Sequence, residues 1–293
     1  MAEDPIATDV TCSEASFVPE QRRDGISGLM RLCNEEDYLD MVIESHLPFL
    51  DELVIVYNRC TDRTPEIAHA FQARYPDKIA CYAYPYPAHP PSSPGHVSSP
   101  PTSPRSDVNY SNFALSRTTC RYCVKVDGDH IAVPKAFGRL TDWVRREKPR
   151  AFVTFLGINL WESGGRAYVR RDLPFCGTNG DIGFFPVDRW TRFAHLAKYS
   201  RPVHAVPTIR SGVAFFHIKG MKRDKGLLKY DIGRLPRSPR RRLLGAVWGL
   251  RPALLTWAEF AERHPVPDYL PDPATLGLPR ARRAKAGQMK GAL

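Results

Sequence analysis

Residues 122–134 read Tyr-Cys-Val-Lys-Val-Asp-Gly-Asp-His-Ile-Ala-Val-Pro. The first part, with β-branched Val124 and Val126, predicts a short buried strand. That strand leads into two carboxylates, Asp127 and Asp129, with only a glycine between them. Such carboxylates repel each other unless a cation lies between them, and Mg²⁺ typically uses one or two carboxylates plus substrate phosphates. The stretch therefore indicates a divalent metal that carries a diphosphate, with an ordinary Asp-Gly β-turn as the alternative.

The length and composition are those of a chain that can bury a large core. It has 293 residues, of which 43% are hydrophobic. No run of about 18 or more uncharged apolar residues occurs, which predicts no transmembrane span. The first 20 residues are polar and acidic and lack the basic-then-apolar plan of a signal peptide. We therefore expect a cytoplasmic protein.

Cysteine content and charge narrow the class of protein further. The seven cysteines are odd in number and several lie in apolar runs, which is typical of reduced thiols. A lone CxxC pair, Cys120 and Cys123, is weak support for zinc. The 42 basic and 31 acidic residues give a formal charge of +11. This excess suits an anionic partner: nucleic acid, an anionic membrane or a phosphorylated substrate.

Upstream of residues 122–134, apolar segments and amphipathic segments alternate. The pattern predicts strands at 28–33, 53–57 and 78–84 and helices at 38–46 and 65–75. This order implies right-handed crossovers and a parallel sheet. Ligands bind such sheets beyond the carboxyl ends of the strands. The polar side chains expected to converge there are Asn34, Asn58, Asp62 and Asp127.

A stretch rich in proline and serine separates these elements from the central strand. Residues 85–104 predict neither helix nor sheet and are long for a loop inside a domain. A disordered insertion over 85–105 is favoured, and a mobile flap over the site is the alternative. A short helix is predicted at 109–117.

In its order of motifs the chain resembles the nucleotide-sugar-binding half of a GT-A glycosyltransferase, most closely glycosyltransferase family 2 and its bacterial polysaccharide and lipopolysaccharide branches. Residues 33–36 resemble the family's RNEE loop, and 58–64 its DNGSTDGT loop. Residues 112–115 resemble its NxAL helix, and 126–129 its DxD motif. The resemblance covers about residues 28–140 and fades afterwards. It implies an α/β GT-A fold, Rossmann-like, with a mostly parallel central sheet flanked by helices.

The resemblance also implies a role for each matching residue. The nucleotide-sugar donor would contact Asn34, Glu35, Asn58, Asp62 and Asp127. A divalent metal, Mn²⁺ or Mg²⁺, would be held by Asp127, Asp129 and His217. His217 ends a predicted strand at 212–219, and His130, beside the metal motif, is a candidate to support the metal ligands without binding the ion itself. Tyr57 departs from the family, which usually has there the aspartate that reads the uracil edge; a uridine donor is still favoured.

The catalytic base is sought in the second half of the chain. Asp181 lies in the glycine-rich run 175–186, about 50 residues past the DxD-like motif, where an inverting enzyme of this type places the group that takes the acceptor's proton. Asp172 and Glu162 are rival candidates. An aspartate in a glycine turn is the purely structural interpretation.

The domain prediction follows from these motifs and from the charge pattern. We expect a polar tail (1–27), a GT-A domain (28–230) with a nucleotide-sugar half (28–140) and an acceptor half (141–230), and a basic amphipathic C-terminal extension (231–293), predicted to be helical. Arginines beside leucine and tryptophan in the extension suit an interfacial helix on an anionic leaflet. A helix packed on the main domain is the alternative.

The resemblance thus implies a metal-dependent, inverting glycosyltransferase (EC 2.4) that moves a sugar from a UDP-sugar to a hydroxyl of a bacterial surface glycan, such as lipopolysaccharide, capsule or O-antigen. We expect a glycan or glycolipid acceptor and a peripheral location on the cytoplasmic face of the inner membrane. An inactive GT-A-like scaffold, a different nucleotidyl- or phospho-sugar enzyme and a basic nucleic-acid-binding protein stay open. A nucleic-acid partner is not expected, because the charge lies at the chain's end and no nucleic-acid-binding motif occurs in its body.

Overall fold

The computed structural model describes residues 21–91, 93–178, 182–196, 199–203, 206–223 and 253–276. The strands are β1 (Arg23–Leu32), β2 (Glu52–Tyr57), β3 (Ile79–Ala83), β4 (Cys120–Val126), β5 (His130–Ala132), β6 (Phe152–Ser163), β7 (Arg166–Arg170), β8 (Phe175–Cys176), β9 (Gly183–Pro186), β10 (Arg192–Leu196), β11 (Tyr199–Val203), β12 (Thr208–Gly220) and β13 (Leu254–Leu255). The helices are α1 (Leu39–His46), α2 (Thr64–Arg74), α3 (Pro94–Ser98), α4 (Asp107–Ser116), α5 (Pro134–Glu147) and α6 (Trp257–Arg263), with 3-10 turns at Leu47–Phe49 and Pro273–Leu276.

Among these residues, eleven strands form one sheet, and β10 and β11 form a separate hairpin. Strands β3, β2, β1 and β4 lie side by side in that order and run parallel. Strand β9 then joins β4 to β6 and is antiparallel to both. Strand β12 is parallel to β6 and antiparallel to β5. The predicted α/β class and parallel sheet are confirmed for the amino-terminal half; beyond β4 the sheet is mixed.

Strand β2 shows why the sheet has helices on both faces. Its residues Leu53, Val54, Ile55 and Val56 are all buried, although their side chains alternate in direction. Leu53 and Ile55 pack in the cluster that includes α1 and α5 side chains, and Val54 and Val56 pack in the cluster that includes α4. A continuous apolar run is what a strand covered on both sides requires.

The boundaries of two elements differ from the expectation. Strand β1 begins at Arg23 rather than at 28, because Arg23 and Ile26 already pair with β4. The ordered chain therefore includes part of the predicted 1–27 tail; residues 1–20 lie outside the described ranges. Helix α5 was not predicted, although Pro134 stands at its first turn, a common position for proline.

The proline- and serine-rich stretch has defined structure, so the expectation of a disordered insertion without helix is wrong. Residues Pro94–Ser98 form α3. The Tyr84 hydroxyl donates to the Pro104 carbonyl at 2.7 Å, and the amide of His89 donates to the Arg105 carbonyl at 2.8 Å. The prolines lack an amide hydrogen and cannot donate backbone hydrogen bonds. The stretch is held instead by the bonds that Tyr84 and His89 donate.

Part of the predicted C-terminal extension packs on the sheet. Strand β13 pairs with β7, and α6 begins at a capping box formed by Thr256 and Glu259. Phe260 is buried, with its ring 5.8 Å from that of Phe175. Over these residues the structure favours the packed alternative; the predicted basic cluster and the apolar stretch at 234–250 lie outside the described residues. Within the described ranges, no helix has the length and apolar character needed to cross a membrane.

Candidate functional site

Two loops follow β1 and β2 at the carboxyl edge of the parallel strands, and their side chains hold them together. Asn34 Oδ1 accepts the amide hydrogen of Thr61 at 2.8 Å. Asp62 Oδ2 accepts from the amide of Glu36 at 3.0 Å, and its Oδ1 accepts from the amide of Thr64 at 3.0 Å. Asn34 and Asp62, both predicted to contact the donor, therefore shape the two loops through bonds within the protein.

Asn58, at the end of β2, holds the segment that follows β3. Its Nδ2 donates to the carbonyls of Tyr84 and Tyr86 at 3.0 and 2.6 Å, and its Oδ1 accepts from the amide of Ala88 at 3.0 Å. The side chain is buried. Its amide group therefore joins the two loop segments that form this edge of the site.

Tyr57 precedes Asn58 and points to the opposite face of the sheet. Its hydroxyl lies 3.1 Å from Nε2 of His69 on α2, and the two rings meet edge to face. Burial raises the pKa of the Tyr57 hydroxyl. The tyrosine that replaces the family's aspartate is thus engaged with α2.

Glu35 lies directly beneath the Asp127–Asp129 turn. The carboxylate is 0% exposed, and its Oε2 is 3.0 Å from Nζ of Lys222. Lys222 also donates to the Asn34 carbonyl at 3.0 Å. A Cβ at Gly128 would lie 2.6 Å from Cγ of Glu35, so only glycine lets the turn approach this closely. Nothing in the local sequence around Lys222 marks it as part of the site.

Asp127, at the end of β4, has a cationic partner in the same strand. Its Oδ2 is 2.9 Å from Nζ of Lys125 and 3.7 Å from Nε2 of His130. Burial alone would raise the pKa of Asp127, but Lys125 and His130 hold it below its usual value. Asp127 is therefore ionised at neutral pH and partly compensated within the protein.

Asp129 faces two histidines on neighbouring strands. Its Oδ2 is 3.6 Å from Nε2 of His217, and its Oδ1 is 3.8 Å from Nε2 of His130. His130 and His217 pair across β5 and β12, and the amide of Ile218 donates to the Asp129 carbonyl at 2.8 Å. Burial opposes ionisation of Asp129, but His217 and His130 hold its pKa well below the usual range. Asp129 also raises the pKa of His217 to about 10 against the effect of burial.

These three side chains fit a metal ion. One ligand atom from each of Asp129, His130 and His217 lies within 4.8 Å of the others. The 3.6 and 3.8 Å separations exceed a hydrogen bond but suit side chains that share one cation. Mg²⁺ prefers oxygen ligands, so a set with two imidazoles suits a first-row transition ion better. The structure thus brings His217 to Asp129 as predicted, adds His130, and places Asp127 beside the group.

The candidates for the catalytic base are less closely assembled. Asp181 lies outside the described residues. Asp172 forms a two-point ion pair with Arg170, which lowers the pKa of Asp172 against the opposing effect of burial. Glu162, near the carboxyl end of β6, accepts from the amide of Gly165 at 2.8 Å. Both rivals therefore have partners within the protein, and Glu162 also acts electrostatically on Tyr38.

Comparisons with known proteins add a family match. The model of a family described as beta-1,4-N-acetylgalactosaminyltransferase (CgtA) matches residues 18–172, slightly more than half of the 293 residues. Among curated proteins, none matches the chain.

Several solved structures are distantly similar to the chain. S. aureus TarS in complex with UDP is 18% identical over 48% of this chain and 37% of its own, with a TM-score of 0.34. The mannosyltransferase PcManGT from Pyrobaculum calidifontis, in complex with GDP-Man and Mn²⁺, is 19% identical over 48% and 37%, with a TM-score of 0.33. Glucosyl-3-phosphoglycerate synthase from Mycobacterium tuberculosis is 19% identical over 56% and 52%, with a TM-score of 0.31. The matches span about a third to a half of these chains, and likenesses this distant assign no activity.

Proposed function

The chain belongs to the beta-1,4-N-acetylgalactosaminyltransferase (CgtA) family, and from that premise we propose that it transfers N-acetylgalactosamine from a UDP-sugar to a hydroxyl group of a bacterial surface glycan. The resemblance to GT-A glycosyltransferases is confirmed by this membership. The observation that carries the proposal is the convergence of Asp129, His130 and His217 beside Asp127, at the carboxyl edge of the parallel strands. Ligands bind parallel sheets at this edge.

We propose that Asp129, His217 and His130 hold a divalent metal, with Mn²⁺ favoured over Mg²⁺ by the two imidazoles. Such an ion supplies positive charge that stabilises the nucleoside diphosphate as it leaves. Asp127, predicted both as a metal ligand and as a contact of the donor, lies beside this group. The loops at 33–36 and 58–62, braced by their own side chains, form the wall for the nucleoside.

The family description also bears on stereochemistry. UDP-N-acetylgalactosamine carries its diphosphate in the α configuration, whereas the linkage in the family's description is β. A single displacement with inversion gives that result: the acceptor oxygen bonds to the anomeric carbon as the bond to the diphosphate breaks, and the acceptor's proton passes to a carboxylate. Asp181 is the residue proposed for that role from its position in the sequence.

We further propose that the acceptor is a glycan or glycolipid of lipopolysaccharide, capsule or O-antigen type, used at the cytoplasmic face of the inner membrane. The support is the excess positive charge of the chain, +11, and its concentration in the region 231–293. Clusters of Lys and Arg are attracted to anionic lipid surfaces.

The proposal is tested by the thermal stability of the protein with nucleotides and metal. UDP, GDP, dTDP and CMP are each added with and without Mn²⁺, and the midpoint of unfolding is measured. Wild type is expected to be stabilised by UDP only when Mn²⁺ is present, because a ligand that binds only the folded state raises its stability. Asp129→Asn is expected to lose this shift and at least about 100-fold in sugar transfer.

The matched control is Asp142→Asn, since Asp142 is an exposed carboxylate on α5. It is expected to keep the wild-type shift. A folded wild-type protein that no nucleotide stabilises would contradict the proposal and favour an inactive scaffold.

A further inference from the structure

His217 has a second neighbour that fixes its ring. Strand β12 lies between β5 and β6, so that His217 pairs with His130 on one side and with Asn159 on the other. Nδ1 of His217 is 2.5 Å from Oδ1 of Asn159, which is 5% exposed. The imidazole thus contacts Asn159 at Nδ1 and Asp129 at Nε2, and the Cys176 side chain is a further hydrogen-bonding neighbour of the ring.

The orientation of the Asn159 amide follows from its other partner. The atom facing the Leu173 carbonyl, 2.8 Å away, must be Nδ2, because a carbonyl oxygen only accepts hydrogen bonds. Oδ1 therefore faces His217, and since this oxygen also only accepts, Nδ1 of His217 must carry the hydrogen. The hydrogen-bond chain runs from His217 through Asn159 to the backbone of residue 173.

The residues that follow Leu173 are bonded to β6. The amide of Asn159 donates to the Pro174 carbonyl at 2.8 Å, and β8 pairs with β6 through Gly157 and Cys176. A Cβ at Gly157 would lie 2.8 Å from Sγ of Cys176, so this glycine permits the close contact. The Leu173 carbonyl, which ends this series of hydrogen bonds, therefore lies directly before residues that are bonded to β6.

We propose that Asn159 is a positioning residue that keeps the hydrogen of His217 on Nδ1, so that a metal ion beside Asp129 displaces the other ring proton to solvent and binds the lone pair of Nε2. This inference rests on the metal site of the proposed function. The 3.6 Å between Nε2 of His217 and Oδ2 of Asp129 fits two ligands of one cation. Histidine ligands commonly donate their other ring N–H to a fixed acceptor, and loss of that acceptor typically costs about 10–100-fold in metal affinity.

The experiment compares Mn²⁺ affinity, followed by electron paramagnetic resonance, among variants of the full chain. Asn159→Leu removes the acceptor at similar volume and is expected to weaken Mn²⁺ binding about 10–100-fold. Asn159→Asp keeps an acceptor for Nδ1–H and is expected to stay within about 10-fold of wild type. The control is Asn112→Leu, which removes two comparable contacts to the Phe193 backbone away from the metal group. It is expected to bind Mn²⁺ as wild type does.

A spectroscopic measurement reports the tautomer directly. In the ¹⁵N-labelled protein loaded with Zn²⁺ as a diamagnetic probe, long-range ¹H–¹⁵N correlations are expected to show His217 protonated at Nδ1 and metal-bound at Nε2. His217→Gln identifies the signal by its loss. In Asn159→Leu this single pattern is expected to become mixed or reversed.

The outcomes distinguish the metal site from the role of Asn159 in positioning His217. Wild type that binds no Mn²⁺ would overturn the metal site of the proposed function, and this inference with it. Wild type that binds Mn²⁺ while Asn159→Leu binds equally well would overturn the inference alone. So would a Zn²⁺-loaded wild type in which His217 binds through Nδ1.

Discussion

His46, the last residue of α1, is a buried histidine away from the metal group. Its ring meets that of Phe137 edge-on at 4.9 Å, and Nδ1 lies 2.9 Å from the Val42 carbonyl. Burial lowers its pKa from 6.5 to about 4. The unfolded chain therefore takes up a proton at a higher pH than the folded protein does.

This difference gives a residue-scale prediction. Stability is unaffected by His46 above pH 6.5 and falls as the pH drops from 6.5 to 4, by up to about 1.4 kcal/mol per pH unit. Denaturant unfolding of wild type and His46→Gln is compared at about pH 7.5 and about pH 5. Wild type is expected to lose more stability than the variant on acidification. Equal losses of stability in wild type and His46→Gln would contradict the lowered pKa of His46.

Which residues lie at the site was predictable; what several of them contact was not. The order of motifs brings Asp127, Asp129 and His217 to one edge because parallel strands end there together. By contrast, Glu35 and Lys222 are 187 residues apart, and their pairing depends on the path of β12. Local sequence carries no record of such a contact. For the same reason the bonds by which Asn58 and Asp62 hold the neighbouring loops could not be read from the sequence, and their contact with the donor stays a prediction.

At the scale of elements, the segment after β12 joins the last long strand to the loop after β1. Lys222 is bonded to buried Glu35, and Arg223 next to it forms more exposed ion pairs with Glu36 and Asp37. The Tyr38 hydroxyl also donates to the Met221 carbonyl at 3.2 Å. Lys222 and Arg223 thus both join the segment after β12 to the loop after β1. The ion pair of Lys222 is buried, and those of Arg223 are more exposed.

The two cations are expected to differ in their contribution to stability. Lys222→Met removes the cation from a buried carboxylate and is expected to cost about 3–5 kcal/mol, because the charge of Glu35 stays in a poorly hydrated place. Arg223→Ala is expected to cost about 1 kcal/mol or less. Both are measured by denaturant unfolding. Adding Glu35→Gln to Lys222→Met is expected to restore part of the loss, and similar costs for Lys222 and Arg223 would contradict this account.

Elements with strong local patterns were predictable, and those defined by distant partners were not. The alternation from β1 to β3 follows from apolar runs and helix signals within each segment. The hairpin of β10 and β11 is instead backed by α4, where Asn112 bonds to the backbone of Phe193, 81 residues away. The proline-rich stretch was misjudged because composition does not reveal the partners that Asn58 and Tyr84 provide.

At the scale of the whole molecule, the two halves predicted from the sequence, residues 28–140 and 141–230, share one sheet. Strand β9, from the second half, pairs with β4 of the first, and the same strand pairs with β6. Neither half therefore has a complete sheet without the other, and unfolding one would expose an edge of the other.

The expected result is a single cooperative unfolding transition in denaturant. All five tryptophans lie beyond residue 140, so their fluorescence reports the second half together with the region 231–293. Cys123 is fully buried in β4, so its labelling by a thiol reagent, followed by mass spectrometry of the peptide, reports the first half. The two probes are expected to give the same midpoint. Separate midpoints would show that the halves unfold independently.

The bond between the amide of His89 and the carbonyl of Arg105 closes a loop whose two ends meet at one place on the surface of the fold. A loop closed at its base can gain or lose residues at little cost, since the closure entropy grows only slowly with length. We therefore expect related proteins to differ most in length here while keeping Asn58 and Tyr84 at its base. We also expect that a tag or a second protein can be inserted into the loop between His89 and Arg105 without disturbing the sheet.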